Sequence, residues 1–164
     1  PYIYQKHSLK QISPSRVLPS GLLRPYPYKD QDIIAKGITA INSCTLVKTS
    51  LLLKLGGFNE AFPLDMLDHW FFHRVRETLT GIKVISVKIF HDLSLYSKNK
   101  IDYLRLSNII KYEKLYHDKY GTFFTKTFYS FRVIYRLFVS FLKGDYQTIK
   151  VYMDCLRERR SKNV

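Results

Sequence analysis

The fold of this chain is decided by residues 49–81, which read TSLLLKLGGFNEAFPLDMLDHWFFHRVRETLTG. Leucines at helical spacing over residues 49–55 predict a short helix, and Gly56-Gly57 predicts its end, because glycine readily adopts the positive φ of a helix C-terminus. Apolar residues recur at helical spacing from Asp65 onward and predict a second, amphipathic helix that Gly81 terminates. The stretch therefore predicts two helices joined by a turn.

The flanking segments predict strands on both sides of these helices. The apolar, β-branched run at residues 38–47 predicts a buried strand or strand pair, and residues 83–90 alternate in the period of a half-exposed strand with His91 at its end. Residues 1–37 are interrupted by Gly21, Pro25 and Pro27 and predict a mostly irregular loop region.

The C-terminal part of the sequence is helical. Residues 101–120, 123–142 and 146–159 predict three helices, separated at Gly121 and Gly144. We therefore predict an α/β part at residues 1–97 and a C-terminal helical extension at residues 98–164. No internal repeat or low-complexity tract interrupts this organisation.

Composition narrows the function classes. The 164 residues are 46% hydrophobic and 15% aromatic, as expected of a globular domain, and the net charge of +14 favours partners that carry negative charge. Two cysteines without metal-ligand spacing favour a reducing, cytoplasmic setting. The chain begins with Pro1 and shows no signal-peptide pattern, so we expect a fragment of a longer protein.

Residues 43–91 resemble the C-terminal half of family 2 glycosyltransferases, including the rhamnosyltransferase-like and galactofuranosyltransferase-like members. The family's GGF(D/N)E motif corresponds to residues 56–60, the small-residue turn before it to residues 43–47, and the acidic segment, arginine and glycine after it to residues 65–68, Arg74 and Gly81. The resemblance implies an α/β fold, the C-terminal part of a GT-A (nucleotide-diphospho-sugar transferase) fold, with the helical extension after it.

The resemblance also implies roles for individual residues. Asp68 matches the general base, and His91 matches the histidine that coordinates a divalent metal, Mn²⁺ or Mg²⁺. We expect the substrate to be bound by Asp65, His69, Trp70 and Arg74. The chemistry is consistent with these types, because a carboxylate can accept the proton of an attacking hydroxyl and an imidazole suits manganese better than magnesium.

The activity so implied is transfer of a sugar, with inversion, from a nucleotide-sugar donor to a glycan or lipid-linked acceptor. We expect it at the cytoplasmic face of a membrane. The family's nucleotide-binding first half, with its DxD motif, has no counterpart here, since Asp30-Gln31-Asp32 lies in a polar loop close to the GGF motif. The isolated chain is therefore expected to be nearly inactive.

Several structural or rival interpretations stay open. Asp65 suits a helix N-cap, Asp68 suits a first-turn acid, and the aromatic run at residues 70–72 suits core packing as well as a sugar-stacking platform. His69 and His73, four apart with Asp65 on the same stripe, would suit a metal hydrolase. A basic, aromatic chain would also suit a nucleic-acid-binding module, although no known signature of one is present.

The helix at residues 123–142 has its own pattern. Aromatic residues fall on one side, and Arg132, Arg136 and Lys143 fall on another, which is typical of a basic amphipathic helix. It either packs on its own domain or attaches to an anionic membrane surface. The oligomeric state is left open.

Overall fold

The computed structural model describes residues 1–78, 81–92 and 103–161, with side chains as far as residue 157. The chain divides into two compact units. The first comprises Pro1–Leu18 and Leu22–Lys98, and the second comprises Pro19–Gly21 and Asn99–Val164. The boundary predicted between residues 97 and 98 lies next to this division.

The first unit contains short strands and two helices. Its elements are β1 (Tyr2–Gln5), β2 (Gln11–Ser13), β3 (Ser15–Val17), β4 (Leu23–Pro25), β5 (Ile33–Ala35), β6 (Ile38–Thr39), α1 (Thr49–Lys54), α2 (Leu67–Glu77), β7 (Ile82–Val84) and β8 (Lys88–His91). The strands form three small sheets in the orders β2-β1-β8, β4-β3-β6 and β5-β7. Among the strands of the described residues, only β1 and β8 pair in parallel, with Tyr2 opposite Lys88 and Gln5 opposite His91. The mixed α/β content predicted from the sequence is confirmed.

Residues 1–37 were predicted to be a mostly irregular loop region, but this segment also contains the five short strands β1 to β5, which the sequence analysis missed. These strands are three or four residues long, too short to show a period. They also depend on partners that are distant in sequence, since Tyr2 of β1 lies opposite Lys88 of β8. Their side chains supply the core cluster of Tyr2, Ala35, Ile38 and Val84.

Two further strand predictions need correction. Of residues 38–47, only Ile38–Thr39 forms a strand. Residues 83–90 are not one strand but parts of β7 and β8, which belong to different sheets. The break lies at Ser86, whose N–H donates to the Asp32 carboxylate at 2.8 Å and whose hydroxyl donates to the Lys29 carbonyl at 2.9 Å.

The end of α1 shows why the glycine pair is needed. The N–H of Gly57 donates to the Leu52 carbonyl and that of Gly56 to the Leu53 carbonyl, each at 3.0 Å, which is the Schellman arrangement. Both glycines have positive φ, at +82° and +84°. The following Phe58 then contacts Phe71 of α2, with ring centroids 5.7 Å apart. The GGF motif therefore ends α1 and joins it to α2.

The second unit consists of three helices: α3 (Tyr103–Tyr120), α4 (Phe123–Leu142) and α5 (Tyr146–Ser161). All three predicted helices are confirmed, apart from the predicted start at residues 101–102, which lies outside the described residues. Their core is formed by Ile110, Val151 and Tyr152. Within the described part of the chain, no helix is both long and apolar enough to cross a membrane.

Candidate functional site

Helix α2 begins two residues later than the sequence predicted. Met66 is its N-cap, with a left-handed φ of 65° and no side-chain cap, so Asp65 lies outside the helix and is not its N-cap. Asp65 therefore does not extend the helical stripe, although His69 and His73 lie four residues apart on α2. Asp68 lies in the first turn of α2, and its position is set by the helix itself.

Asp68 faces the loop that follows β6. Burial raises the pKa of Asp68 above its ordinary value, and the nearby backbone N–H of Asn42 opposes this only in part. A carboxyl group with a raised pKa is a stronger base once ionised, which is the property that a general base requires.

His91 contacts the next residue of the same loop. Its Nε2 lies 3.2 Å from the hydroxyl oxygen of Ser43. Strand pairing fixes the backbone of His91, because it lies opposite Gln5 and its carbonyl accepts from the N–H of Lys6 at 3.1 Å. The Ser43 hydroxyl therefore orients the His91 ring, and the pairing of β8 with β1 fixes the His91 backbone.

The loop of residues 42–45 connects these two groups. It is a tight turn in which the N–H of Thr45 donates to the Asn42 carbonyl at 3.0 Å and Cys44 has a φ of 60°. Ser43 contacts His91, and the adjacent Asn42 has its N–H near Asp68. The predicted base and the predicted metal ligand therefore lie beside the same turn.

Strained backbone conformations flank this arrangement. Among the described residues, Leu9, Cys44 and Met66 are the non-glycine residues with positive φ. Cys44 lies in the turn that contacts Asp68 and His91, and Met66 lies immediately before the helix that carries Asp68. Such conformations each cost about 1–3 kcal/mol and concentrate at functional sites.

The other predicted site residues do not share one face with Asp68. At 100° per residue, Arg74 lies roughly 120° and Trp70 roughly 160° around α2 from Asp68. Trp70 is 5% exposed, so its ring packs in the core and offers almost no surface to a sugar. Arg74 donates to Glu77 on its own helix at 2.6 Å. His69 and Asp65 are partly buried near the start of α2, and their substrate-binding roles stay predictions.

The residues that would suit a metal hydrolase have other contacts. His73 lies 3.3 Å from Arg76 through Nδ1 and 3.4 Å from Glu77 through Nε2. Burial, together with the neighbouring Arg76, lowers the pKa of His73. Both ring nitrogens therefore already have partners on α2.

The DxD sequence of residues 30–32 has a structural role. One oxygen of Asp32 accepts from the Ser86 N–H, and the other lies 3.1 Å from the Lys83 ammonium group. The hydrogen bond from Ser86, followed by the one from Lys83, lowers the pKa of Asp32. Asp32 therefore holds the bend between β7 and β8.

The divalent metal that the resemblance implies can be compared with the side chains present. His91 offers one imidazole nitrogen, which suits Mn²⁺ or Zn²⁺. In residues 1–78, 81–92 and 103–157, no three His, Cys, Asp or Glu side chains are grouped as they would be around an ion. His91 could supply one ligand, and its metal-binding role stays a prediction.

A cavity of 580 Å³ borders the same loop. Residues 43–48 form one wall, and Phe71, Phe72 and Val75 of α2 form another, so the lining is mainly apolar. Neither Asp68 nor His91 lines it. Ser43 lines the cavity and also contacts His91.

Sequence reasoning did not predict the part played by Asn42. Its contribution is a backbone N–H, which every residue except proline possesses, so residue type gave little signal. The only hint is that asparagine is common in tight turns.

Comparisons with protein-family models, curated proteins and solved structures gave no match.

Proposed function

We propose that this chain forms the acceptor side of an inverting, family 2-like glycosyltransferase with the C-terminal part of a GT-A fold. The observation that carries the proposal is the turn at Asn42-Ser43, where Ser43 contacts His91 and the Asn42 N–H lies near Asp68. The sequence resemblance names these two residues for complementary roles. Their placement beside one turn supports a shared site.

In the proposed reaction, Asp68 accepts the proton of an acceptor hydroxyl. The oxygen of that hydroxyl forms a bond to the anomeric carbon of the donor sugar. On the opposite face, the bond to the nucleoside diphosphate breaks, and the diphosphate leaves with the electron pair. This single displacement inverts the anomeric configuration.

The residues around Asp68 support its role as base. Burial favours the protonated form, which is the form that Asp68 holds after the transfer, and the Asn42 N–H keeps the carboxyl group oriented. His91, held by Ser43 and by β8, contributes one metal ligand. A bound Mn²⁺ or Mg²⁺ ion would neutralise the charge on the departing diphosphate. Donor binding falls to residues other than these 164.

The experiment that tests this function is turnover by the enzyme that contains this chain. It is incubated with Mn²⁺, a panel of nucleotide sugars, and glycan or lipid-linked acceptors. We expect one donor to yield free nucleoside diphosphate and a glycoside of inverted anomeric configuration, read by NMR. Retained configuration, or no consumption of any nucleotide sugar, would refute the proposal.

A further inference from the structure

Helix α4 exposes an apolar surface. The residues that form it, which we call the aromatic face, are each 47% to 67% exposed, and they are Phe124, Phe128, Phe131, Tyr135, Phe138 and Leu142. At 100° per residue they occupy an arc of roughly 80°, and the 20-residue helix is about 30 Å long. The surface is therefore a continuous, convex strip, which exposed Ile134 and Phe141 widen on one side.

The packed side of α4 carries both apolar and polar side chains. Val133 and Leu137 pack against the core of the unit. Arg136 donates to Glu113 of α3 at 2.6 Å and to the hydroxyl of Tyr152 of α5 at 3.2 Å, and Arg132 contacts His117 of α3 at 3.0 Å. The aromatic face is therefore a second apolar surface of α4, which this packing does not cover.

Charge indicates what binds the aromatic face. No Asp or Glu occurs between Asp118 and Asp145, and residues 99–164 contain fourteen Lys and Arg against six Asp and Glu. Exposed Lys143 lies roughly 100° from the centre of the aromatic face, and exposed Lys126 lies roughly 160° from it in the other direction. A lysine in the position of Lys143 can extend to lipid headgroups while the aromatic rings enter the acyl boundary.

We propose that the aromatic face of α4 binds the surface of an anionic lipid bilayer, with the helix lying in the plane of the membrane. A convex strip fits a fluid surface better than a preformed groove. A second copy of the chain would bring the same positive charge, which disfavours self-association through this face. The inference does not rest on glycosyl transfer, because it follows from the described residues of the second unit alone.

The first test measures vesicle binding by the chain with no donor or acceptor present. Co-sedimentation is compared for phosphatidylcholine vesicles and for vesicles with about one quarter phosphatidylglycerol. We expect at least about tenfold stronger binding to the anionic vesicles, weakened by salt. Equal binding to both vesicle types, or binding to neither, would overturn the proposal.

Paired variants locate the contact. Phe131→Ser with Phe138→Ser keeps the net charge and is expected to weaken binding about tenfold or more, because the membrane-facing strip then lacks both rings. The control pair, Leu104→Ser with Tyr146→Ser, removes residues 70% and 76% exposed on α3 and α5, and should change binding less than about twofold. Unaltered circular dichroism excludes unfolding as the cause. Equal weakening by both pairs would contradict the assignment.

A fluorescent reporter distinguishes lipid from protein as the occupant. The sequence contains a single tryptophan, Trp70, which is 5% exposed, so a Phe131→Trp variant adds a signal that difference spectra isolate. We expect its emission to shift to the blue on anionic vesicles and to be independent of protein concentration without them. A concentration-dependent shift without vesicles, with a dimer in sedimentation, would show self-association and refute the lipid proposal.

Discussion

The inward-facing arginines of α4 should make Glu113 the most important charged residue of the second unit. Its carboxylate accepts from Arg136 at 2.6 Å and lies 3.8 Å from Arg132, and its side chain is only 13% exposed. Burial alone would lower the pKa of Arg136, but the charge and hydrogen bond of Glu113 outweigh burial, so the pKa is raised. We therefore predict that Glu113→Gln destabilises this unit.

The magnitude follows from the charged hydrogen bond between Glu113 and Arg136, which the substitution weakens. A hydrogen bond to a charged group contributes about 1.5–3 kcal/mol, and because Arg136 is 42% exposed we expect the lower part of that range, about 1.5–2 kcal/mol. Asp118→Asn is the matched control. It breaks a surface pair with Lys114 at 2.9 Å, worth about 0.5 kcal/mol or less.

Urea unfolding followed by circular dichroism gives both free energies of unfolding. Because Arg132 and Arg136 face α3, we expect Glu113→Gln to lower the free energy of unfolding clearly more than Asp118→Asn does. Equal values within error would mean that Arg132 and Arg136 do not face α3, and the aromatic face would then lose its structural basis.

Two further predictions concern the first unit. Because burial raises the pKa of Asp68, the proton bound at Asp68 favours folding fully below the ordinary value of 3.8, and this contribution is lost as pH rises through the raised pKa. The Asp68→Asn variant has no charge at this position, so it should be more stable than the wild type near pH 7.5 and about equally stable near pH 3, as measured by urea midpoints. If Asp68 acted only as a first-turn acid on the helix dipole, the variant would instead be less stable near neutral pH by about 0.3–1 kcal/mol. Gly57→Ala should destabilise the unit by about 1–2 kcal/mol, because the φ of +84° is unfavourable for alanine. Steric overlap is not the cause, since the added Cβ would meet no atom within 4 Å. A neutral effect in thermal unfolding would argue against the Schellman closure of α1.

The sequence predicted those elements whose signal is local. Helices α3, α4 and α5 have a sustained helical period and end near Gly121 and Gly144, so their bounds agree with prediction to within about two residues. The strands of residues 1–37 were missed because each forms only by pairing with a distant segment. The bend at Ser86 was missed for the same reason, since Asp32 and Lys29 that hold it are more than fifty residues away.

The candidate site was predictable to a similar extent. The resemblance points to Asp68 and His91 as predicted site residues. Their common position beside Asn42 and Ser43 depends on the conformation of a loop, which residue types do not reveal. The orientation of Trp70 and Arg74 depends on where α2 begins and which side of it packs inward. A two-residue shift of the helix start removes Asp65 from the helix, although its residue type suits an N-cap.

The catalytic role of Asp68 is tested most directly by comparing turnover of the enzyme that contains this chain as wild type, Asp68→Asn and Asp65→Asn. We predict that Asp68→Asn lowers kcat by about 10²–10⁴-fold with little change in the KM for the donor, as loss of a general base requires. Asp65→Asn, which changes a predicted substrate-binding residue, should act mainly on the KM for the acceptor and leave kcat within about tenfold of wild type. If Asp68→Asn instead kept wild-type kcat, Asp68 would not be the base and the proposed mechanism would be wrong.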